Sequence, residues 1–202
     1  MTFGKDRFEE LMETIRAGSA RDLHDACAEV SRLWKDAPVD GLLSLKEQFR
    51  RLDLEERESI LDVALIEIAD RRQEPFTVIA TQPDHPLWRP AVEVLSMAGV
   101  PDCLDLFIRL LPLCPKKNIK DLLRAIGCYN DRKAVEAVAP FLCAEDEGVF
   151  FEAVLTLKRS DGPKAMEYLK GCLAARRRDG SEMATVLEAV IEEMGQAPVQ
   201  EA

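Results

Sequence analysis

The chain has 202 residues, 47% of them apolar, 32% charged and 6% aromatic, with a formal net charge of −10. That length allows one or two compact domains or one elongated array, and abundant Leu, Ala, Glu, Lys and Arg favour helix over sheet. An acidic chain is repelled by phosphate backbones, so nucleic acid is not an expected partner.

The N-terminal stretch MTFGKDRFEELMETIRAG carries acids from Asp6 onward and no continuous apolar core, unlike a signal peptide. Its first helix has an apolar stripe of Phe8, Leu11, Met12 and Ile15 and ends at Gly18. Ser19 is placed to cap a second helix bearing Leu23, Ala26, Cys27, Val30, Leu33 and Trp34, which stops before Asp36-Ala37-Pro38. A third helix is expected over 42–52. Asp53 is expected to cap a fourth, with Ile60, Leu61, Ala64, Leu65 and Ile68 facing inward. Pro75 and the stretch Thr81-Gln82-Pro83-Asp84 then break the pattern. No apolar run approaches the length of a bilayer span, so no membrane contact and a cytoplasmic location are expected.

From Asp84 the chain repeats itself at an interval of 31. The turns Val100-Pro101-Asp102, Asp131-Arg132-Lys133 and Gly162-Pro163-Lys164 are equivalent. After each turn, Leu104, Val135 and Met166 correspond, as do Phe107, Val138 and Leu169, and likewise Leu111, Leu142 and Leu173. Before each turn, Ala91, Leu122 and Ala153 correspond, and so do Leu95, Ile126 and Leu157. Pro101 and Pro163 suit a first helical turn, where a missing N–H costs nothing. A repeat of this period predicts helical hairpins stacked side by side, because one hairpin cannot bury its own apolar faces. A last helix, 182–194, repeats the first half of a unit with Glu188, Glu192 and Glu193 on its outer side, as a terminal cap requires. The organisation expected is an N-terminal helical region of divergent hairpins over 1–80, an array over 84–195 and a tail over 196–202.

The segment Asp84-His85-Pro86-Leu87-Trp88-Arg89 through Ala98-Gly99, with Ile126-Gly127 and the helix Ala134-Val135 to Phe141-Leu142, resembles the HEAT-repeat family, in particular the short bacterial HEAT-like repeats of phycobilisome lyases. The likeness covers about 84–195. The family arginine matched by Arg89 becomes Lys120 and Phe151 in the later units, and Gly127 becomes Lys158. The resemblance implies an all-α fold, an α-α superhelix of antiparallel hairpins. It carries no single activity, since such repeats serve many functions.

The function expected is therefore non-enzymatic: a protein-binding scaffold that uses a concave face and a basic rim. Between Lys116 and Arg178 stand 13 Lys/Arg against 9 Asp/Glu, a net of +4, which leaves −14 for the remainder. Stacking would align Arg132, Lys133 and Lys164 along one edge, with Lys158 and Arg159 just before it, as a docking strip for an acidic protein partner. The alternative for these cations is a solvated edge that keeps the array soluble. Trp88 is either an exposed anchor or a packing residue. No catalytic, cofactor or metal-ligating set is expected. The six cysteines form no CxxC, and Cys103, Cys114, Cys143 and Cys172 fall in or beside apolar runs as core thiols. His24 and His85, the only histidines, lack a nucleophile context. Two other readings stay open: a ligand-handling or lyase-like protein, and a homo-oligomeric structural protein. Oligomeric state is not set by the sequence.

Overall fold

In the computed structural model, residues 5–160, 162–178 and 182–196 are described. They are all-helical, with twelve α-helices and no strand among them. The chain divides into two compact units, residues 1–106 and 107–202.

The first unit holds α1 (Lys5–Ala17), α2 (Ala20–Arg32), α3 (Val39–Arg51), α4 (Glu55–Arg71), α5 (Glu74–Ala80) and α6 (Trp88–Met97), together with the start of α7 (Pro101–Leu110). α1 packs on α2 and α3, and α4 packs on α2 and α3. α6 lies against α3, α4 and α5. Ile15, Leu23, Val30, Leu42, Leu43, Leu61, Leu65 and Ile68 are fully buried between these helices.

The ends of these helices follow local chemistry. Ser19 caps α2 in a reciprocal box: its Oγ accepts from the Asp22 N–H, and its own N–H donates to Asp22 Oδ2. The hydrogen bonds from Ser19 hold the Asp22 carboxyl below its ordinary value. Asp53 does not cap α4. It adopts φ 57° just past the end of α3, where the Asp53 N–H donates to Arg50 O and the Leu54 N–H to Phe49 O. That pair of bonds is a Schellman closure with aspartate in the position glycine prefers. Gly99, φ 64°, closes α6 the same way. Arg57 of α4 reaches back to α1. Its Nη1 donates to Gly18 O at 2.9 Å and its Nη2 to Ile15 O at 2.8 Å, with the guanidinium over the Phe49 ring. This satisfies carbonyls that a helix end leaves open.

The break expected at Pro75 is instead a helix. Pro75 occupies the first turn of α5, where its ring is tolerated. α5 packs on α6, and its Ala80 carbonyl accepts a hydrogen bond from Trp88 Nε1 at 2.9 Å.

The second unit holds the end of α7, α8 (Ile119–Ile126), α9 (Arg132–Val138), α10 (Glu147–Arg159), α11 (Pro163–Arg178) and α12 (Met183–Gln196). α8 packs on α10 and α10 on α12, while α9 packs on α11. α9 also touches α8 and α10, and α11 touches α10 and α12. Asp131 and Asp146 cap α9 and α10 through the N–H groups of Lys133 and Val149. Gly127 lets α8 approach α10: a Cβ there would lie 2.9 Å from Thr156 Cγ2. Thr156 Oγ1 donates to Leu123 O across the same contact.

The interval of 31 fixes helix starts as the sequence implied. α7, α9 and α11 begin at Pro101, Arg132 and Pro163. Leu95, Ile126 and Leu157 are fully buried, as are Ala91, Leu122 and Ala153, and Phe107, Val138 and Leu169. The second helices differ in length for a covalent reason. Pro112 and Pro140 tighten the chain after α7 and α9 into 3₁₀ turns, whereas α11 contains no proline beyond its first residue and runs to Arg178. α12 is less buried than a sealed cap: Leu187 and Met194 are enclosed, while Val186, Val190 and Ile191 are half-exposed. Of the tail expected over 196–202, only Gln196 falls among the described residues.

Candidate functional site

Among the described residues, two surfaces and one buried network bear on function. The first surface is a groove between α2 and α4. One stretch of it, about 350 Å³, is lined by His24, Cys27, Ser31, Arg32, Val63 and Glu67, among others. A second stretch, about 550 Å³, is lined by Leu23, Asp53, Leu54, Glu55, Glu56 and Arg57. The two meet at Ile60, which lines both. The floor is apolar because Leu23, Cys27, Ile60 and Ala64 are buried members of the two helices. Burial in that floor pushes the Cys27 thiol up to about 11. Val63 stands 60% exposed on the α4 lip and Leu54 37% exposed at one end.

The carboxylates of this groove are unspent. Among the described residues, Asp53, Glu55, Glu56 and Glu67 make no ion pair. Its cations are committed to backbone: Arg57 to the carbonyls closing α1, and Arg32 Nε to Ala28 O at 3.0 Å.

The second surface carries the cations expected along a basic edge, all of which lie in the second unit. The hydrogen bond that Lys164 donates to Glu167 holds the Lys164 ammonium above its ordinary value, against the nearby charge of Arg132, which the structure brings close to it. Each of these cations meets a carboxylate of its own chain. Arg132 Nε lies 2.7 Å from Glu136, Lys164 Nζ 3.0 Å from Glu167, and Lys158 Nζ 2.6 Å from Glu193. Arg159 Nη1 is 3.8 Å from Glu152. Lys164 also rests over the Tyr168 ring. Lys133 is exposed and opens α9 through its backbone N–H. Four of the five cations expected along that edge thus face carboxylates of the same chain.

Trp88 is not a surface anchor. It is 1% exposed and its indole N–H is satisfied by Ala80. The apolar body fills the α5–α6 contact, and α5 lies where a break in the helical pattern is expected from Pro75. His85 supports the preceding loop, with Nδ1 accepting from the Leu87 N–H. The thiols are all free, and they are less uniformly internal than expected. Cys27 and Cys103 are buried, Cys114 and Cys172 half-buried, and Cys143 exposed at the end of the 3₁₀ turn after α9.

The buried network joins α3, α4 and α6. Lys46 is 1% exposed. Its Nζ is 2.8 Å from Glu58 Oε1, 2.6 and 2.8 Å from the two oxygens of Asp62, and 3.7 Å from Glu93. Arg50 bridges Glu58 and Glu93. Burial raises the Asp62 carboxyl above its ordinary value despite Lys46. Burial also works to raise Glu58, but the hydrogen bonds and charges of Lys46 and Arg50 outweigh it and hold that carboxyl low. A sequence signal for this network existed. Leu42, Lys46 and Phe49 share one face of α3, which places a cation on an apolar stripe.

No family profile and no curated protein matches the chain. Among solved structures, an engineered protein known from its crystal structure is similar over 93% of this chain and 94% of its own, at 12% identity and a TM-score of 0.43. A likeness that weak carries no argument about fold or function.

Proposed function

We propose that the protein is a non-enzymatic interaction module, a HEAT-like α-α superhelix whose second helices present a groove to a protein partner. Three findings support the superhelix. The helix starts recur at 31, three of the equivalent core sets (Ala91/Leu122/Ala153, Leu95/Ile126/Leu157 and Phe107/Val138/Leu169) share full burial, and within the second unit first helices pack on first helices and second on second. Met166 and Leu173 leave the other two sets only half-buried in the last unit. The observation that carries the binding role is the α2/α4 groove, an open trough with a buried apolar floor, an exposed Val63 lip and carboxylates that the chain leaves unused. Exposed apolar groups rimmed by polar ones mark docking surfaces. The basic edge supports the role less, because its cations are paired at home and exposed pairs contribute only about 0–1 kcal/mol each.

The test is cross-linked affinity capture from the source organism, with mass spectrometry of what is retained. Proteins cross-linked through α2 or α4 are expected. The triple reversal Arg132→Glu, Lys133→Glu and Lys164→Glu is expected to leave their retention within about threefold of the unaltered protein. Retention of no protein above a charge-matched helical control would overturn the reading. The groove volumes also fall in the range of small-ligand clefts, about 300–1,000 Å³, which favours the ligand-handling alternative. Native mass spectrometry of protein purified from its source separates the two: a stoichiometric small molecule in the groove would replace protein docking as the function.

A further inference from the structure

We propose that the α2/α4 groove takes a basic amphipathic helix of a protein partner, about 13 residues long. This rests on the interaction-module reading and names the partner's chemistry. The length comes from the lining of the groove. Along α4 it runs from Leu54 to Glu67, about 20 Å at 1.5 Å per residue, enough for three to four turns of a helix lying alongside. The apolar requirement comes from the floor and lip. Leu54, Ile60 and Val63 line it from α4, and Leu23 and Cys27 from α2, a surface that suits a partner stripe with the i, i+3, i+4, i+7 spacing.

The charge requirement comes from what is left unpaired. Three carboxylates, Asp53, Glu55 and Glu56, stand at one end and Glu67 at the other, and none has a cation among the described residues. Glu55 and Glu56 also favour the N-terminus of α4, which has no side-chain cap. That role leaves their charges facing the groove. Of the two arginines in the lining, Arg57 is turned to the α1 carbonyls and Arg32 to Ala28. The surrounding field has the same sign. Residues 1–106 hold 22 acidic and 13 basic residues, a net of −9, against −1 for the rest. The partner helix therefore carries Lys or Arg flanking its apolar stripe, placed toward both ends.

The experiment uses the full chain and two fluorescein-labelled synthetic helices of about 14 residues. One has leucines at the four stripe positions and lysines on the flanks; the other replaces every lysine with glutamate. Anisotropy titration at low salt is expected to give at least a tenfold tighter Kd for the basic helix, with the difference shrinking as salt rises. The double reversal Glu56→Lys and Glu67→Lys touches only exposed side chains. With its fold verified by circular dichroism, it is expected to lose or invert the preference. Equal binding of both peptides, tighter binding of the acidic one, or no binding of either overturns the proposal. So does a doubled mass in light scattering that Val63→Asp abolishes, since a second copy would then own the groove. Proteins captured from the source that survive the Glu56/Glu67 reversal defeat this inference while leaving the interaction role intact. Capture of no protein defeats the role itself.

Discussion

Asp53 shows how one residue type can be read two ways. Before a helix, aspartate signals a cap, and α4 follows two residues later. The backbone instead uses it to end α3 at φ 57°, leaving α4 with no side-chain cap. Asp tolerates that conformation better than most residues, but glycine does so without a Cβ penalty. Asp53→Gly is therefore expected to stabilise the protein by about 0.5–1 kcal/mol, read as a raised urea midpoint with unchanged slope. Trp88 was legible as either anchor or packing, and only a neighbour in space could decide it. The deciding acceptor, Ala80 O, belongs to a helix that Pro75 concealed.

Helix contacts decide more than helix boundaries do. The α8–α10 contact depends on the absence of a side chain at Gly127, and Thr156 fills the space. Gly127→Ala forces a methyl to within 2.9 Å of Thr156 Cγ2 and is expected to cost about 1–3 kcal/mol. Adding Thr156→Ser removes that methyl and keeps the hydroxyl, so the double variant is expected to recover most of the loss. A double-mutant cycle by urea denaturation measures the coupling. The periodicity made these helices legible, since turn residues and apolar positions recur together. It could not show which faces press closest, because that depends on pairing across 30 residues of sequence.

The α3–α4–α6 contact depends on Lys46. Replacing it with Met keeps the stem and removes the charge, leaving Asp62 without its cation, Glu58 to Arg50 alone, and Glu93 still beside Arg50. Lys46→Met is expected to cost about 3–5 kcal/mol at pH 7. The pH dependence has a definite sign. In the unaltered protein, Glu58 is held low, so its contribution is present above its ordinary 4.5 and is lost as pH falls through its lower folded value. Without Lys46, Asp62, already raised by burial, loses the cation that opposes that rise, and Glu58 loses one of the two that hold it low; a raised carboxyl favours the folded state only when protonated. The deficit of the variant is expected to shrink between pH 7 and pH 5, which paired denaturation curves would register. A deficit that grows toward pH 5 would contradict this account of the network.

At the scale of the whole molecule, both structural units are net acidic, −9 for residues 1–106 and −1 for residues 107–202, whereas residues 116–178 stand at +4 against −14 for the remainder. The +4 of residues 116–178 pointed to a basic docking edge. Four of its cations, Arg132, Lys158, Arg159 and Lys164, face Glu136, Glu193, Glu152 and Glu167, and of these acids only Glu193 lies outside the segment and is not already counted in the +4. Composition counts charges and cannot say which are already matched. Asp53, Glu55, Glu56 and Glu67, which make no ion pair among the described residues, line the groove between α2 and α4, in the region the repeat did not reach. The all-helical class and the helix starts were readable because they depend on local spacing. The groove was not, because it is defined by two helices that are neighbours only after folding.

The reach of Arg57 to Ile15 and Gly18, 42 and 39 positions earlier, sets an order for maturation on the ribosome. α1 and α2 leave the exit tunnel first, but the final carbonyls of α1 stay hydrated until α4 has been translated and can swing its guanidinium across. A nascent chain arrested before residue 57 lacks both guanidinium donors, so the Ile15 and Gly18 carbonyls are left to water. One arrested after α4 has emerged presents those carbonyls already bonded.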